Sequence, residues 1–243
     1  MRTIDVLILC GGMGTRLRST IGETQKVMAR VGARPFLDII LEHIEHQGLR
    51  RVVLCAGYRA DAVEEYYRSK EGRGGQSRPA PTLTIEFSNE TEPLGTGGAI
   101  KVAEPLVKSQ RFFVLNGDSF CPVDFKKFLD FHLFNKALAS LVLSQAKERQ
   151  DFGTVEIDNQ QKVVAFKEKI KSDAAALLNA GVYCFEKDIF QYIPKQKKFS
   201  LEHDVFPNLV DKKFYGFVVN ESFMDIGTPE RYKNADSIFR EGK

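Results

Sequence analysis

Apolar positions along the chain recur in two alternating patterns. Ile4–Cys10 (IDVLILC) is apolar almost throughout and rich in branched side chains, which predicts a strand buried on both faces. Pro35–Gly48 (PFLDIILEHIEHQG) places Leu37, Ile40, Leu41 and Ile44 at helical spacing on one face. Pro35 suits the first turn of that helix and Gly48 its end. The alternation continues with a strand at Arg50–Gly57, a helix at Ala60–Lys70, a strand at Thr82–Ser88, a loop and helix within PLGTGGAIKVAEPL, and a strand at Arg111–Asp118. Between them Glu71–Pro81 (EGRGGQSRPAP) is dense in breakers and predicts a mobile loop rather than an interdomain linker. Strand and helix in turn at this interval predict βαβ units, hence a mostly parallel sheet with helices on both faces.

The later pattern is different. ASLVLSQA, GTVEID, KVVAFKEK, LLNAGVYCF and FYGFVVN follow one another with only short helical pieces between them, which predicts antiparallel pairing added beside the parallel core. An amphipathic helix at Pro229–Arg240 closes the pattern. The expected fold class is therefore α/β, one domain over residues 1–243 with a mixed, mostly parallel central sheet. No internal repeat is present, and no hexapeptide pattern announces a left-handed β-helix after the last helix.

Composition narrows the partners. A chain of 243 residues with 43% apolar and 28% charged residues suits one large globular domain. The net charge of +3 is too small to argue for nucleic acid or a membrane surface, and the densest basic cluster, Pro194–Lys198, reads as a solvated loop. Cys10, Cys55, Cys121 and Cys184 form no CxxC pair, and three of them lie in apolar runs. Buried thiols of this kind suggest a reducing, cytoplasmic compartment, with distant pairing left open by sequence. The N-terminal apolar run is too short to span a bilayer and carries no signal cleavage site.

The candidate chemistry begins at Cys10–Met28, CGGMGTRLRSTIGETQKVM. A strand running into glycines and then a helix turns backbone N–H groups towards an anion. Gly11, Gly12 and Gly14 would let phosphate oxygens approach the backbone. Thr15 offers a hydroxyl, Arg16 a bidentate fork and Lys26 a compact charge. The loop is neither the dinucleotide GxGxxG nor a P-loop. On its own it also admits a plainer reading as a glycine turn bearing two unrelated cations.

Six blocks together carry a resemblance. LCGGMGTRLR…QKVM, EPLGTGGAI (Glu92–Ile100), LNGDSF (Leu115–Phe120), FKEKIK (Phe166–Lys171), LNAGVYCF (Leu178–Phe185) and FMDIGTPERY (Phe223–Tyr232) stand in the order found in the sugar-1-phosphate nucleotidyltransferases, and the chain is similar to that family along its length. The resemblance implies a Rossmann-like, GT-A-like domain in which a sugar 1-phosphate oxygen attacks the α-phosphorus of a nucleoside triphosphate and pyrophosphate leaves. Small-molecule substrates are then the expected partners, without nucleic acid or membrane, and a homo-oligomer is left open. It further implies that Arg16 grips the pyrophosphate, that Lys26 neutralises charge near the α-phosphate, and that Asp118 and Asp225 hold Mg²⁺. Cys10, Gly11, Gly12, Gly14, Thr15 and Arg16, with Gly95, Thr96 and Gly97, would bind the nucleotide. Lys169 would hold the sugar phosphate with Glu168 beside it, and Gly117 and Asn179 would line the sugar site.

Each block has a plainer reading alongside. An Asp after a strand is commonly a turn or cap residue, KEKIK serves equally as a charged strand edge, GTGGAI as a helix start without a ligand, and Asn179 as a turn cap. The four histidines show no metal spacing and read as structural.

Specificity rests on likeness alone. ARPFLDIILEHIEHQGLRRVVLCAGY, EPLGTGGAIKVAEP, LNAGVYCFEKDIF and FSLEHDVFP (Phe199–Pro207) resemble the branch that guanylylates D-glycero-α-D-manno-heptose 1-phosphate, which implies GTP as donor and GDP-heptose, a precursor of bacterial surface glycans, as product. Ser200 and Glu202 would reach sugar hydroxyls or order a substrate loop, or Ser200 would cap a helix. The alternatives are uridylyl, cytidylyl or thymidylyl transfer to another sugar phosphate, an inactive nucleotide-binding sensor, and, more distantly, an oxidoreductase. The chain departs from the family at two places: Gln25 and Ile170 stand where proline commonly flanks Lys26 and Lys169. Proline at 25 is expected to be tolerated.

Overall fold

Among the described residues nine strands join in one sheet and two short ribbons flank it. In the computed structural model the described residues are 3–71, 83–146, 153–168, 176–194, 198–220 and 223–241. In chain order the strands are β1 (Asp5–Cys10), β2 (Arg30–Val31), β3 (Arg34–Pro35), β4 (Arg51–Ala56), β5 (Thr84–Asn89), β6 (Arg111–Asn116), β7 (Ser119–Phe120), β8 (Ala139–Ala146), β9 (Gly153–Ile157), β10 (Val163–Glu168), β11 (Ala176–Glu186), β12 (Phe214–Val219) and β13 (Met224–Asp225). The helices are α1 (Arg18–Ile21), α2 (Phe36–His46), α3 (Ala60–Glu71), α4 (Gly95–Ala103), α5 (Phe125–Phe134) and α6 (Pro229–Glu241). The strands and helices expected from the apolar pattern all appear. The breaker-rich loop lies outside the described residues apart from Glu71, as do the middle of the Pro194–Lys198 cluster and, with it, Lys169 and Ile170.

Strand order is β10-β9-β11-β6-β1-β4-β5, with β8 joined to β11 and β12. β1, β4, β5 and β6 run parallel, and the later strands enter through the antiparallel β6–β11 and β11–β8 ladders. This is the mixed, mostly parallel α/β sheet expected. Alternate residues of each central strand feed opposite cores. Val6, Ile8, Val52, Leu54, Phe113 and Leu115 meet α2, α3, α5 and α6 on one face. Leu7, Val53, Cys55, Phe112 and Val114 meet α4 and the segment after β11 on the other. Burial on both faces explains why these strands read as continuous apolar runs.

Chain order places β4 and β5 on one side of β1 and β6 on the other. The carboxyl ends of β1 and β6 therefore border the crevice where the order reverses, the position at which open α/β sheets take ligands. All four cysteines are buried. Among the described residues no helix is long and apolar enough to cross a membrane.

Candidate active site

The glycine loop leaves β1 at Cys10 and is fastened by Leu17, which is wholly buried, while Gly12, Thr15 and Arg16 before it are exposed. Gly14 takes a left-handed φ of 58°, and its N-terminal turn is closed by Leu17 N–H bonding to the Gly14 carbonyl at 2.9 Å. A Cβ at Gly14 would stand 3.2 Å from Cβ of Lys26, so the loop lies directly on the lysine stem. Cys10 shows only its backbone to the loop, its thiol being buried and pushed well up in pKa by that burial.

Lys26 is 9% exposed and its Nζ donates to Asp118 Oδ2 at 2.6 Å. Asp118 follows Gly117 at the end of β6. A Cβ at Gly117 would meet the Leu9 carbonyl at 2.6 Å and Val27 Cγ1 at 3.0 Å, so only glycine lets β6 close over β1 and the Lys26 turn here. Asp225 arrives from the far end of the chain. β13 pairs with β7, setting Asp225 opposite Ser119, and Ile226 N–H donates to the Asp118 carbonyl at 3.0 Å. Asp225 Oδ1 accepts from Gly227 N–H at 2.7 Å and Arg231 Nη1 at 3.1 Å. The point where Gly227 would carry a Cβ lies 2.6 Å from Asp225 Oδ1 and 3.7 Å from Lys26 Nζ. Three motif blocks thus converge on one spot.

Two hard carboxylate oxygens suit a divalent ion that keeps water and takes phosphate oxygens for its other ligands. Among the described residues no third His, Cys, Asp or Glu adds to a metal cluster. The donor set fits a shared phosphate-metal site rather than a closed structural one.

The blocks around Gly95, Asn179 and Ser200 form a second cluster. Gly95 has φ 74°, and a Cβ there would stand 2.5 Å from the Phe199 carbonyl, which accepts from Gly97 N–H at 2.8 Å. These glycines therefore admit the backbone of the 199–205 segment against the start of α4. Thr96 Oγ1 accepts from Leu201 N–H at 2.8 Å and donates to Glu202 Oε2 at 2.9 Å. Ser200 Oγ accepts from His203 N–H at 3.2 Å, as the helix-cap reading expects, and it also donates to the same Glu202 oxygen at 2.8 Å. Tyr183 hydroxyl donates to Glu202 Oε1 at 3.3 Å, and burial, reinforced by that carboxylate, pushes its pKa well up. Asn179 spans the bulge of β11: its Oδ1 accepts from Gly181 N–H at 3.0 Å and its Nδ2 donates to Tyr183 at 2.9 Å. Glu168 ends β10, and its side chain, like Lys169, is outside the described residues.

Several neighbours were not singled out by sequence. Arg231 holds Asp225; the quoted GTPERY block contained it, but its pairing depends on where α6 begins. Asn116 Oδ1 and Ser119 Oγ are buried without a hydrogen-bond partner among the described residues, beside the β11 bulge. Glu90 stands over Gly11, its Oε1 2.7 Å from where a Cβ would be, and its Oε2 accepts from Leu94 N–H at 2.8 Å. Burial pushes the Glu90 pKa up against that N–H bond. No sequence signal separates Glu90 from the other exposed-looking acids of SNETEP.

The chain is similar over nearly its whole length to two D-glycero-α-D-manno-heptose 1-phosphate guanylyltransferases. That of Campylobacter jejuni is 38% identical, with 94% of this chain and 97% of the relative covered. That of Aneurinibacillus thermoaerophilus is 37% identical, with 96% of each covered. The crystal structure of HddC from Yersinia pseudotuberculosis superposes with a TM-score of 0.83 at 34% identity, covering 97% of this chain and 99% of that one. The same protein has also been solved in complex with GMP-PN. Enzymes of this kind generally use a divalent metal. Residues 5–241 match the Nucleotidyl transferase family, and the chain is a member of that family, a sugar-phosphate nucleotidyltransferase.

Proposed function

We propose that the protein transfers the guanylyl group of GTP to D-glycero-α-D-manno-heptose 1-phosphate, giving GDP-heptose and pyrophosphate. A sugar-phosphate oxygen bonds to the α-phosphorus as the bond from that phosphorus to the bridging oxygen of pyrophosphate breaks, so positioning and charge neutralisation dominate. The observation that carries this reading is the convergence of Lys26, Asp118 and Asp225 at the carboxyl ends of β1 and β6, below an exposed glycine loop. Lys26 holds positive charge where the α-phosphate comes, and Arg16, exposed on the loop, meets the departing pyrophosphate. Asp118 and Asp225 would hold Mg²⁺, which when bound polarises the α-phosphate as a Lewis acid. Lys169 is assigned to the sugar phosphate.

Guanine as the base is supported by Glu90. Its edge carries two adjacent N–H donors, and a carboxylate beside Gly11 is the acceptor that complements them. Heptose as the sugar is supported by the identities of 37–38% to the two relatives named above. A cytoplasmic location and substrates limited to small molecules accord with the reading. Pyrophosphate release should be measured across the four nucleotides with heptose, mannose and glucose 1-phosphates. GTP with the heptose phosphate is expected to give the highest kcat/KM, and Glu90→Gln should narrow the preference for GTP. Preference for another nucleotide overturns the guanylyl assignment, and nucleotide binding without turnover overturns the enzymatic one.

A further inference from the structure

Gln25 is 2% exposed, an unusual depth for a polar side chain beside a charged one. Its Nε2 donates to the carbonyl of Cys10, the last residue of β1, and its Oε1 accepts from Val27 N–H at 2.7 Å. The amide therefore ties the end of the strand that launches the glycine loop to the first turn of the short helix Lys26–Met28. Lys26 lies between the two bonds in sequence. Its stem packs on Gly14 and its Nζ reaches Asp118, while Val27 packs against Gly117 just before that aspartate. The turn is closed again by Met28 N–H donating to the Gln25 carbonyl at 2.8 Å.

We propose that Gln25 is a positioning residue for nucleotidyl transfer: its buried amide bridge sets the direction in which Lys26 presents Nζ to the reacting phosphate. The inference rests on the role assigned to Lys26 above. The backbone at Gln25, with φ −61° and ψ 134°, is one that proline adopts. Proline would fix φ there but would leave the Cys10 carbonyl and the Val27 N–H without their side-chain partner. A stiffened backbone therefore does not replace the amide bridge in this chain, where the Cys10 carbonyl and the Val27 N–H both meet the Gln25 side chain. The tolerance expected of Gln25→Pro is accordingly narrowed to folding.

Gln25→Met keeps the length of the side chain and removes both bonds. Its kcat is expected to fall about 100-fold, the scale of a small misplacement of a reacting group, with KM for both substrates little changed. Gln25→Pro serves as a second variant of compatible backbone and should lose a similar factor. Single-turnover rates at excess enzyme then close a double-mutant cycle with Lys26→Met, in which Gln25→Met should cost nothing further. Wild-type kcat in the folded Gln25→Met protein overturns the proposal. So does an equal loss in the two backgrounds, because Gln25 would then act independently of Lys26. Absence of turnover in the wild type would instead sink the functional reading. The bridge is then judged by a crystal structure of Gln25→Met, and an unchanged Lys26–Asp118 separation refutes it.

Discussion

Replacing Lys26 with methionine separates what the lysine does for the reaction from what it does for the fold. The aliphatic stem is retained, so its packing on Gly14 survives and only the charge is lost. For stability the loss is small. Lys26 is buried, but its partner Asp118 is 43% exposed, and an ion pair with one member so solvated contributes about 1 kcal/mol or less. For a chain of this size that corresponds to a shift in Tm of roughly 2–4 °C at most. For the reaction the loss is larger, because a preorganised charge facing a transition state contributes about 3 kcal/mol, or roughly 150-fold in rate. The assay is pyrophosphate release from GTP and heptose 1-phosphate, run beside a calorimetric melt of the same preparation. A variant that melts normally and turns over at near-normal kcat/KM would remove Lys26 from the mechanism. One that loses activity only in proportion to lost folded protein would show its role to be structural.

Gly117→Ala should destabilise the protein by about 1–3 kcal/mol, since its Cβ would press on the Leu9 carbonyl, a backbone atom that cannot yield; an unaltered urea midpoint would contradict this close approach. Glu202→Leu leaves the hydroxyls of Thr96, Ser200 and Tyr183 without their shared acceptor. It should cost about 2–3 kcal/mol and raise KM for the nucleotide, and thermal unfolding with nucleotide titration reads both. His132 is buried against Ser140 Oγ at 2.8 Å, and burial lowers its pKa to about 4 from 6.5. The unfolded chain then binds the proton first, so stability is lost as pH falls from 6.5 towards 4, by up to about 3 kcal/mol. Urea midpoints across that window should slope in the wild type and flatten in His132→Phe; parallel slopes would exclude His132 as the source.

The central strands and α2 were legible in the sequence because burial on both faces and a 3.6-residue stripe leave strong periodic signals. The glycine loop and both aspartates were legible as motifs. The contact that joins those aspartates was not. β7 and β13 are two residues each, too short to carry a period, and their pairing is fixed by where β6 and α6 end. The depth of Gln25 was equally hidden, since a polar residue in a polar loop gives no hint that it will be covered. Gly95 and Gly97 were readable as special positions, but the carbonyl of Phe199 that requires the close approach lies about a hundred residues away and only tertiary packing brings it there.

The ribbon between β7 and β13 also determines when during its synthesis the protein becomes competent. Asp118 is delivered by the first half of the chain, Asp225 only by its last part, and α6 then clamps the N-terminal hairpin through Asp236 to Gly32 N–H at 2.7 Å and Tyr232 to the Arg30 carbonyl at 2.6 Å. Contacts of such long sequence separation are the slow ones to form. A chain lacking β13 and α6 retains the parallel strands and the glycine loop, yet it holds only one of the two carboxylates. Loss of the 223–241 segment is therefore expected to silence the chemistry while most of the sheet stands, so that activity reports the docking of this segment as well as the folding of the sheet.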